Sequence, residues 1–305
     1  MNSTDKYGSP ETPDQAVVVT GASTGIGRAT ALHLGSLGFD VLAGVRRRRD
    51  GERLASEATG RITPVILDVT DADSIEAAAR RIGDRLGDGG LHGLVNNAGV
   101  AEPAPMEIMP IDALRRQIEV NLVGQVAVTQ ALLPLLRRAR GRIVNVSSVG
   151  GRVSSPGLGA YSASKFAIEA ISDAMRMELH PWGIHVSVIE PGPIRTEIWR
   201  RGGDAADSTM ERIPEEHRRL YGGLIAAVRK LAERTQDRAI PPEKVARRIA
   251  HALTARRPRT RYLVGADARI QVALATLLPD RGYDALVRRL LRPPGRGGVG
   301  SERAR

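Results

Sequence analysis

A tyrosine and a lysine four positions apart are the residues of this sequence best suited to proton transfer. Tyr161 and Lys165 open an alanine-rich segment that we expect to be helical, which places both side chains on one face. A free tyrosine has a pKa of about 10 and is a poor base at neutral pH, so it needs a cation that stabilises its phenolate. Ser148 follows a β-branched run and can offer a hydroxyl to the same oxygen. The spacing alone is far more typical of an ordinary surface pair, so the rest of the chain must decide.

A glycine-rich turn near the N-terminus predicts a dinucleotide site. The run that begins at Thr20 reads Thr-Gly-Ala-Ser-Thr-Gly-Ile-Gly, between a β-branched run and a helical pattern. In that context Gly21 permits a tight turn, Gly25 lets the backbone approach a pyrophosphate, and Gly27 lets the helix pack on the strand. The N–H groups that open the helix then face the phosphates. The glycine spacing differs from the usual Gly-x-Gly-x-x-Gly, and such a turn alone is often only structural.

The end of the second predicted strand indicates which dinucleotide binds. A carboxylate at this point favours a ribose 2′-hydroxyl, whereas an arginine favours a 2′-phosphate. Val45 occupies the expected carboxylate position and Arg46 follows it. We therefore predict NADP(H) in preference to NAD(H), and we interpret Arg48 and Arg49 as solvated surface charge.

Alternating strand and helix patterns predict one α/β domain over residues 15–292. We expect a Rossmann-type doubly wound parallel sheet of about seven strands with helices on both faces. The predicted strands are 16–19, 41–45, 65–67, 91–95, 143–146, 185–189 and 262–264. The predicted helices are 28–37, 71–86, 111–137, 161–179, 242–254, 268–278 and 283–291. Thr70 and Asp73 form a capping signature at the start of the second long helix, over residues 71–86.

Three further segments are expected outside this regular pattern. Residues 197–241 are polar and interrupted by glycine and proline, and their short helical patterns, such as 224–231, favour a lid. The helices within 268–291 are expected to pack, to dimerise or to touch a membrane surface, and the sequence leaves these alternatives open. Residues 1–14 and the basic residues 293–305 are expected to be disordered tails.

Composition excludes several classes of function. With no cysteine among 305 residues, disulfides, thiolate metal sites and thiol catalysis are all excluded. The six histidines are scattered, so we expect no metal. The net charge of +11 is spread along the chain and only 3% of residues are aromatic, so we expect no nucleic-acid partner. No long apolar run and no secretory signal are present, which predicts a cytoplasmic protein without a transmembrane segment.

Six motifs in one order resemble those of the classical short-chain dehydrogenases/reductases. They are Thr20-Gly-x-x-x-Gly-Ile-Gly27, Asn96-Asn-Ala-Gly99, Asn121, Ser148, Tyr161-x-x-x-Lys165 and Pro191-Gly-x-x-x-Thr196. Each motif is weak alone, but the six together at family spacing are highly specific. The resemblance extends from Val17 to about Val264.

The resemblance implies hydride transfer between a nicotinamide and a carbonyl or alcohol carbon. It makes Tyr161 the proton donor or acceptor, Lys165 the group that lowers its pKa and binds the nicotinamide ribose, and Ser148 the group that orients the substrate oxygen. It makes Asn121 the anchor of a water that links Lys165 to solvent. The implied cofactor contacts are Thr20, Gly21, Ser23, Thr24, Gly25, Ile26, Gly27, Arg46, Asp68, Val69, Asn97, Ala98, Gly99, Tyr161, Lys165, Pro191, Gly192, Ile194 and Thr196.

The length of the chain bears on its substrate. The lid and the C-terminal helices make it longer than the minimal fold of this family and similar to the retinol and hydroxysteroid dehydrogenase branch, which implies a bulky apolar alcohol or ketone. Two alternatives stay open: a 3-oxoacyl-[acyl-carrier-protein] reductase, which a basic surface would suit, and a non-catalytic NADP(H)-binding redox sensor. The family implies a homodimer or a homotetramer.

Overall fold

A seven-stranded parallel sheet forms the centre of the computed structural model, which describes residues 15–198, 202–203, 214–236 and 239–291. The strands are β1 Ala16–Val19, β2 Asp40–Val45, β3 Ile62–Ile66, β4 Gly93–Asn96, β5 Arg142–Val146, β6 His185–Pro191 and β7 Arg261–Val264. Their order is β3-β2-β1-β4-β5-β6-β7, with every neighbouring pair parallel. The predicted doubly wound α/β fold is confirmed.

The α-helices whose bounds the structure describes pack on the sheet and continue past β7 at the C-terminus. They are α1 Gly25–Ser36, α2 Arg48–Ser56, α3 Ala72–Leu86, α4 Ile111–Ile118, α5 Gly124–Ala139, α6 Gly159–Glu178, α7 Glu215–Gln236, α8 Pro242–Thr254, α9 Ala266–Leu277 and α10 Asp280–Leu291. The predicted tails, 1–14 and 293–305, lie outside the described residues.

The core consists of two apolar layers, one on each face of the sheet. Alternate residues of β1 divide between them: Val17 and Val19 pack with α1 and α8, whereas Val18 packs with α3 and α5. The strands are apolar and β-branched because a central parallel strand is buried on both faces. Packing on both faces fixes the position of each strand in the sheet. The carboxyl ends of the strands, which form the site, are therefore held in place.

The predicted helix over 111–137 is interrupted. A π-helical turn, Glu119–Val123, separates α4 from α5, and it contains the buried Asn121. By length and composition alone, Ile111–Ala139 is apolar enough to cross a membrane. In this fold it packs instead against the sheet, with Val128 and Leu132 in the core.

One local prediction is wrong, and one predicted helix is longer than expected. Asp71, not Thr70, caps α3: its carboxylate accepts hydrogen bonds from the N–H groups of Asp73 (3.0 Å) and Ser74 (3.3 Å), while the Thr70 hydroxyl donates to Asp68. The short helical pattern over 224–231 is part of α7, which runs for 22 residues through two glycines. Residues 204–213 of the predicted lid lie outside the described residues.

Close packing around the glycine turn explains why residues 21 and 27 are glycine. Gly21 has a φ of +63°, and a Cβ on it would lie 2.9 Å from the Cα of Ala98. A Cβ on Gly27 would lie 2.3 Å from the carbonyl oxygen of Gly21 and 2.4 Å from Nδ2 of Asn97. The helix thus approaches the turn and β4 so closely that only hydrogen fits.

We predict that Gly27→Ala lowers the free energy of unfolding by about 1–3 kcal/mol, because the backbone must move to admit the methyl group. Urea denaturation measures this. Gly83→Ala is the matched control, because Gly83 lies within α3 and a Cβ on it would enter open space. That substitution should stabilise the protein by about 0.4–1 kcal/mol. Equal effects of the two substitutions would contradict the packing explanation.

Candidate active site

A cleft of about 330 Å³ lies at the carboxyl ends of the strands. It crosses the point between β1 and β4 where the strand order reverses, the usual ligand position in doubly wound sheets. The predicted residues that line it are Gly21, Ser23, Thr24, Gly25, Ile26, Arg46, Asp68, Val69, Asn97, Ala98, Gly99, Ser148, Tyr161, Lys165, Pro191, Gly192, Ile194 and Thr196. Thr20, Gly27 and Asn121 do not line it; each supports the wall from behind.

Thr20 holds the two halves of the cleft together. Its hydroxyl oxygen accepts hydrogen bonds from the N–H groups of Asn97 (2.9 Å) and Ala98 (3.0 Å). The Asn97 amide donates back to the carbonyl oxygens of Thr20 (2.9 Å) and Gly21 (3.2 Å). These bonds fix the end of β4 against the glycine turn, so both present backbone to one ligand.

The N-terminus of α1 is suited to a pyrophosphate. Thr24 occupies the cap position, yet its side chain makes no capping hydrogen bond to the helix. The first N–H groups of α1 are therefore left for another acceptor, and Thr24, Gly25 and Ile26 all line the cleft. A dinucleotide phosphate fits this requirement.

At the far end of the cleft, Asp68 and Arg46 border the region expected for the adenosine. Oδ1 of Asp68 accepts from the N–H of Thr70 (3.0 Å) and from its hydroxyl (2.8 Å). Arg46 is exposed directly after β2, beside Val45. An exposed guanidinium at this strand end can reach a 2′-phosphate.

At the opposite end, Ser148, Tyr161 and Lys165 come together as predicted. All three are buried; Tyr161 is 6% exposed and Lys165 4%. The Lys165 ammonium lies 5.8 Å from the centre of the Tyr161 ring and donates to the carbonyl oxygen of Val146 (2.8 Å). The Ser148 hydroxyl accepts from the N–H of Gly150 (3.0 Å) and hydrogen-bonds to Tyr161.

Burial dominates the electrostatics of these groups. It raises the pKa of Tyr161, and the Ser148 hydroxyl offsets part of that rise. It lowers the pKa of Lys165 to about 8, against a raising effect of Glu169. The pKa of Tyr161 is raised overall, because the loss of solvation outweighs the Ser148 hydrogen bond.

Asn121 acts on the site through the main chain of its neighbours. Its Oδ1 accepts from the N–H of Val100 (2.8 Å), and its Nδ2 donates to the carbonyl oxygen of Val100 (2.8 Å) and to the Ser164 hydroxyl (3.0 Å). Both hydrogens of the amide are therefore used. Ser164 precedes Lys165 on α6, so Asn121 joins the loop after β4 to the helix that carries the lysine.

The sequence reasoning missed Arg116 and its partner. Arg116 lines the cleft and forms two hydrogen bonds with the Glu102 carboxylate, at 2.8 and 2.7 Å. Arg116 lies four residues before Val120, which also lines the cleft. Residues at this spacing share one face of a helix, and that spacing is the sequence signal that could have identified Arg116. The ion pair fixes the loop after β4 to α4.

Comparison with known proteins gives one consistent result. The family model described as short chain dehydrogenase matches residues 15–206. Retinol dehydrogenase 5 of Mus musculus is 39% identical over 289 residues, covering 92% of this chain and 90% of the relative.

Two further relatives extend the comparison to bacteria. The NADPH-dependent 3-dehydrocapnine reductase of Ornithobacterium rhinotracheale is 36% identical over 277 residues, covering 88% of this chain and 94% of the relative. A solved short-chain dehydrogenase from Streptomyces avermitilis is 30% identical with a TM-score of 0.73, covering 92% of this chain and 95% of that one. The likeness spans nearly the whole of each protein.

We predict that Thr20→Val lowers the free energy of unfolding by about 1–2 kcal/mol, since it leaves two partly buried N–H groups without an acceptor. It should also weaken dinucleotide binding, and urea denaturation with fluorescence titration measures both. Thr30→Val is the matched control, because the buried Thr30 hydroxyl has no hydrogen-bond partner among the described residues. That substitution should leave both quantities nearly unchanged. A similar loss in both variants would show that the Thr20 bonds do not hold the cleft.

Proposed function

The chain belongs to the short-chain dehydrogenase/reductase family and is an oxidoreductase acting on CH–OH donors; on that premise we propose that it uses NADP(H) to interconvert a bulky apolar alcohol and its ketone or aldehyde. The observation that carries the proposal is the position of Tyr161. Its buried phenol lies beside Lys165 and Ser148 at one end of a cleft whose other end presents Arg46.

The proposed reduction divides the chemistry between cofactor and protein. When bound, NADPH supplies the hydride to the carbonyl carbon. Tyr161 donates its proton to the carbonyl oxygen, and the Ser148 hydroxyl orients that oxygen towards the phenol. Because proton and hydride arrive together, full negative charge never develops in the apolar pocket. Oxidation of the alcohol uses the same groups in reverse.

Lys165 and Asn121 support this proton transfer. The Lys165 ammonium stabilises the phenolate that remains after proton donation, and its place in the cleft lets it bind the nicotinamide ribose. A water that returns the proton from solvent is proposed beside Asn121. Since both Nδ2 hydrogens are used, that water would bond to Oδ1 or to carbonyl groups of the π-helical turn.

The preference for NADP(H) rests on Arg46. No carboxylate stands at Val45 to bind a 2′-hydroxyl, and the exposed Arg46 guanidinium suits a 2′-phosphate. The relative described as an NADPH-dependent reductase supports the same choice.

The substrate class is proposed from the relatives and the length of the chain. The similarity to retinol dehydrogenase 5 covers 92% of this chain, and retinal-like aldehydes and steroid ketones are therefore the compounds to test first. A 3-oxoacyl thioester reduced orders of magnitude faster than free ketones would favour the carrier-protein alternative. Cofactor binding without turnover on any carbonyl compound would favour a redox sensor.

Exposed apolar residues support a proposed homodimer or homotetramer. Phe166 and Met177 on α6 are exposed, as is Val123 in the π-helical turn. Burial of this surface against a second copy would remove these side chains from water.

We propose a cytoplasmic location from the composition of the chain.

We predict that Tyr161→Phe lowers kcat by about a hundredfold to ten-thousandfold, the usual contribution of a positioned acid–base group. NADPH affinity should be nearly unchanged, because the aromatic ring remains. Initial rates with a retinal-like aldehyde or a steroid ketone measure the first effect, and fluorescence titration with NADPH measures the second.

Tyr283→Phe is the control for the loss of a phenol, since Tyr283 lies on α10 outside the cleft. It should retain the activity of the parent protein. A Tyr161→Phe protein that still turns over at the parent rate would remove the proposed acid, and one that loses NADPH binding as well would indicate misfolding.

We predict that Arg46→Ala lowers NADPH affinity at least about tenfold, as a hydrogen bond to a charged group is worth about 1.5–3 kcal/mol. NADH affinity should not change, because NADH has no 2′-phosphate. The exposed Arg49 provides the matched control, and Arg49→Ala should leave both affinities unaltered. Equal binding of the two cofactors by the parent protein would reject the assignment of Arg46.

A further inference from the structure

A buried group of charged side chains lies behind Lys165, and the proposed hydride transfer does not use it. Glu169 follows Lys165 by one turn of α6, and Glu190 lies near the end of β6. Both carboxyl groups are buried. The other charged or polar groups that face them are Ser147 at the end of β5, Arg152 after β5, Asp173 on α6 and Arg261 on β7.

Arg261 holds this group together. Its Nε lies 3.0 Å from Oε2 of Glu169 and 3.4 Å from Oε1 of Glu190, while its Nη2 donates to Oδ2 of Asp173 at 2.7 Å. Arg152 donates to Oε1 of Glu190 at 3.1 Å. One oxygen of each buried carboxylate therefore faces an arginine.

The second oxygen of each of the two glutamate carboxylates accepts no hydrogen bond from an arginine in the described chain. Oε1 of Glu169, Oε2 of Glu190 and the Ser147 hydroxyl form no hydrogen bond of good geometry in the part of the chain that the structure describes. Apolar residues would avoid the desolvation penalty of these groups, so the retained carboxylates require a reason beyond packing.

Gly151 packs against Ser147, Glu169 and the main chain of Lys165. A Cβ on Gly151 would lie 2.6 Å from the Ser147 hydroxyl, 2.9 Å from the carbonyl oxygen of Lys165 and 3.2 Å from Cγ of Glu169. Glu169 and Lys165 are also neighbours on one face of α6, four residues apart.

The Lys165 ammonium needs a counter-charge. It is almost fully removed from water, and its one hydrogen bond in the described chain is to a neutral carbonyl. No carboxylate forms an ion pair with it among the described residues. We propose that Glu169, clamped by Arg261, is the positioning residue that keeps Lys165 charged without direct contact.

The electrostatics agree with this geometry. Burial lowers the pKa of Lys165 to about 8, and Glu169 is the charge that raises it. Burial raises the pKa of Glu169, Glu190 raises it further, and Ser147 and Arg261 lower it. Arg261 thus opposes the rise in the pKa of Glu169 that burial and Glu190 cause.

This inference rests on the proposed function and is tested by the pH profile of Glu169→Gln. The substitution removes the anion, so Lys165 should lose its proton at lower pH. We expect the alkaline limb of kcat in ketone reduction by NADPH to move to lower pH by about one unit, while kcat below neutral pH stays near the parent value. A purely structural role would lower kcat at every pH and leave the limb in place.

Two variants serve as controls. Glu169→Asp keeps the charge and should retain the alkaline limb of the parent protein, even if it unfolds more easily. Asp173→Asn removes another carboxylate that is bonded to Arg261. Asp173 lies two turns of α6 from Lys165 and is partly exposed, so this substitution should not move the alkaline limb of kcat. An unmoved limb in Glu169→Gln, or equal shifts in all three variants, would overturn the proposal.

A second readout separates this proposal from the proposed function. Acetic anhydride modifies only neutral amines, and peptide mass spectrometry follows the modification of Lys165 as a function of pH without any turnover. Glu169→Gln should become modified at lower pH than the parent protein. If the parent protein reduces no carbonyl compound, the proposed function fails, and this measurement still decides the role of Glu169.

Discussion

The energetic cost of a buried ammonium constrains the architecture of this site. Lys165 is held away from water so that it can lie beside Tyr161, and desolvation opposes its charge. The fold meets this cost with a carbonyl at the end of β5 and with the field of Glu169 on the next turn of α6. The catalytic geometry therefore depends on where strand ends and one helix face are placed.

Buried amides provide that placement. Asn96 and Asn145 are paired across β4 and β5, and their side chains bond to each other at 2.9 Å. Asn96 also donates to Thr129 on α5 and Asn145 to Ser172 on α6, at 2.9 and 2.8 Å. A chain of hydrogen bonds thus links two strands to two of the helices that cover the sheet, and a buried polar network of this kind helps to specify one arrangement.

Local patterns were sufficient to predict the sheet, the glycine turn and the Tyr161–Lys165 pair, because each depends on spacing along the chain. The π-helical turn and the cap of α3 could not be predicted, since Thr70 and Asp71 are both good caps and only the backbone geometry chose between them. The raised pKa of Tyr161 and the contacts of Glu190 arise from residues distant in sequence. No pattern of neighbouring residues in the sequence predicts contacts and burial of this kind.

The helix α7 differs from the rest of the protein in how little it contributes to the core. None of its 22 residues is buried, and it meets the loop before α4 through Tyr221 and His217, which both contact Glu107. Residues that are at most partly buried can be exchanged at small cost in stability. Substitutions can therefore accumulate in this segment while the strand ends that carry the cleft stay fixed.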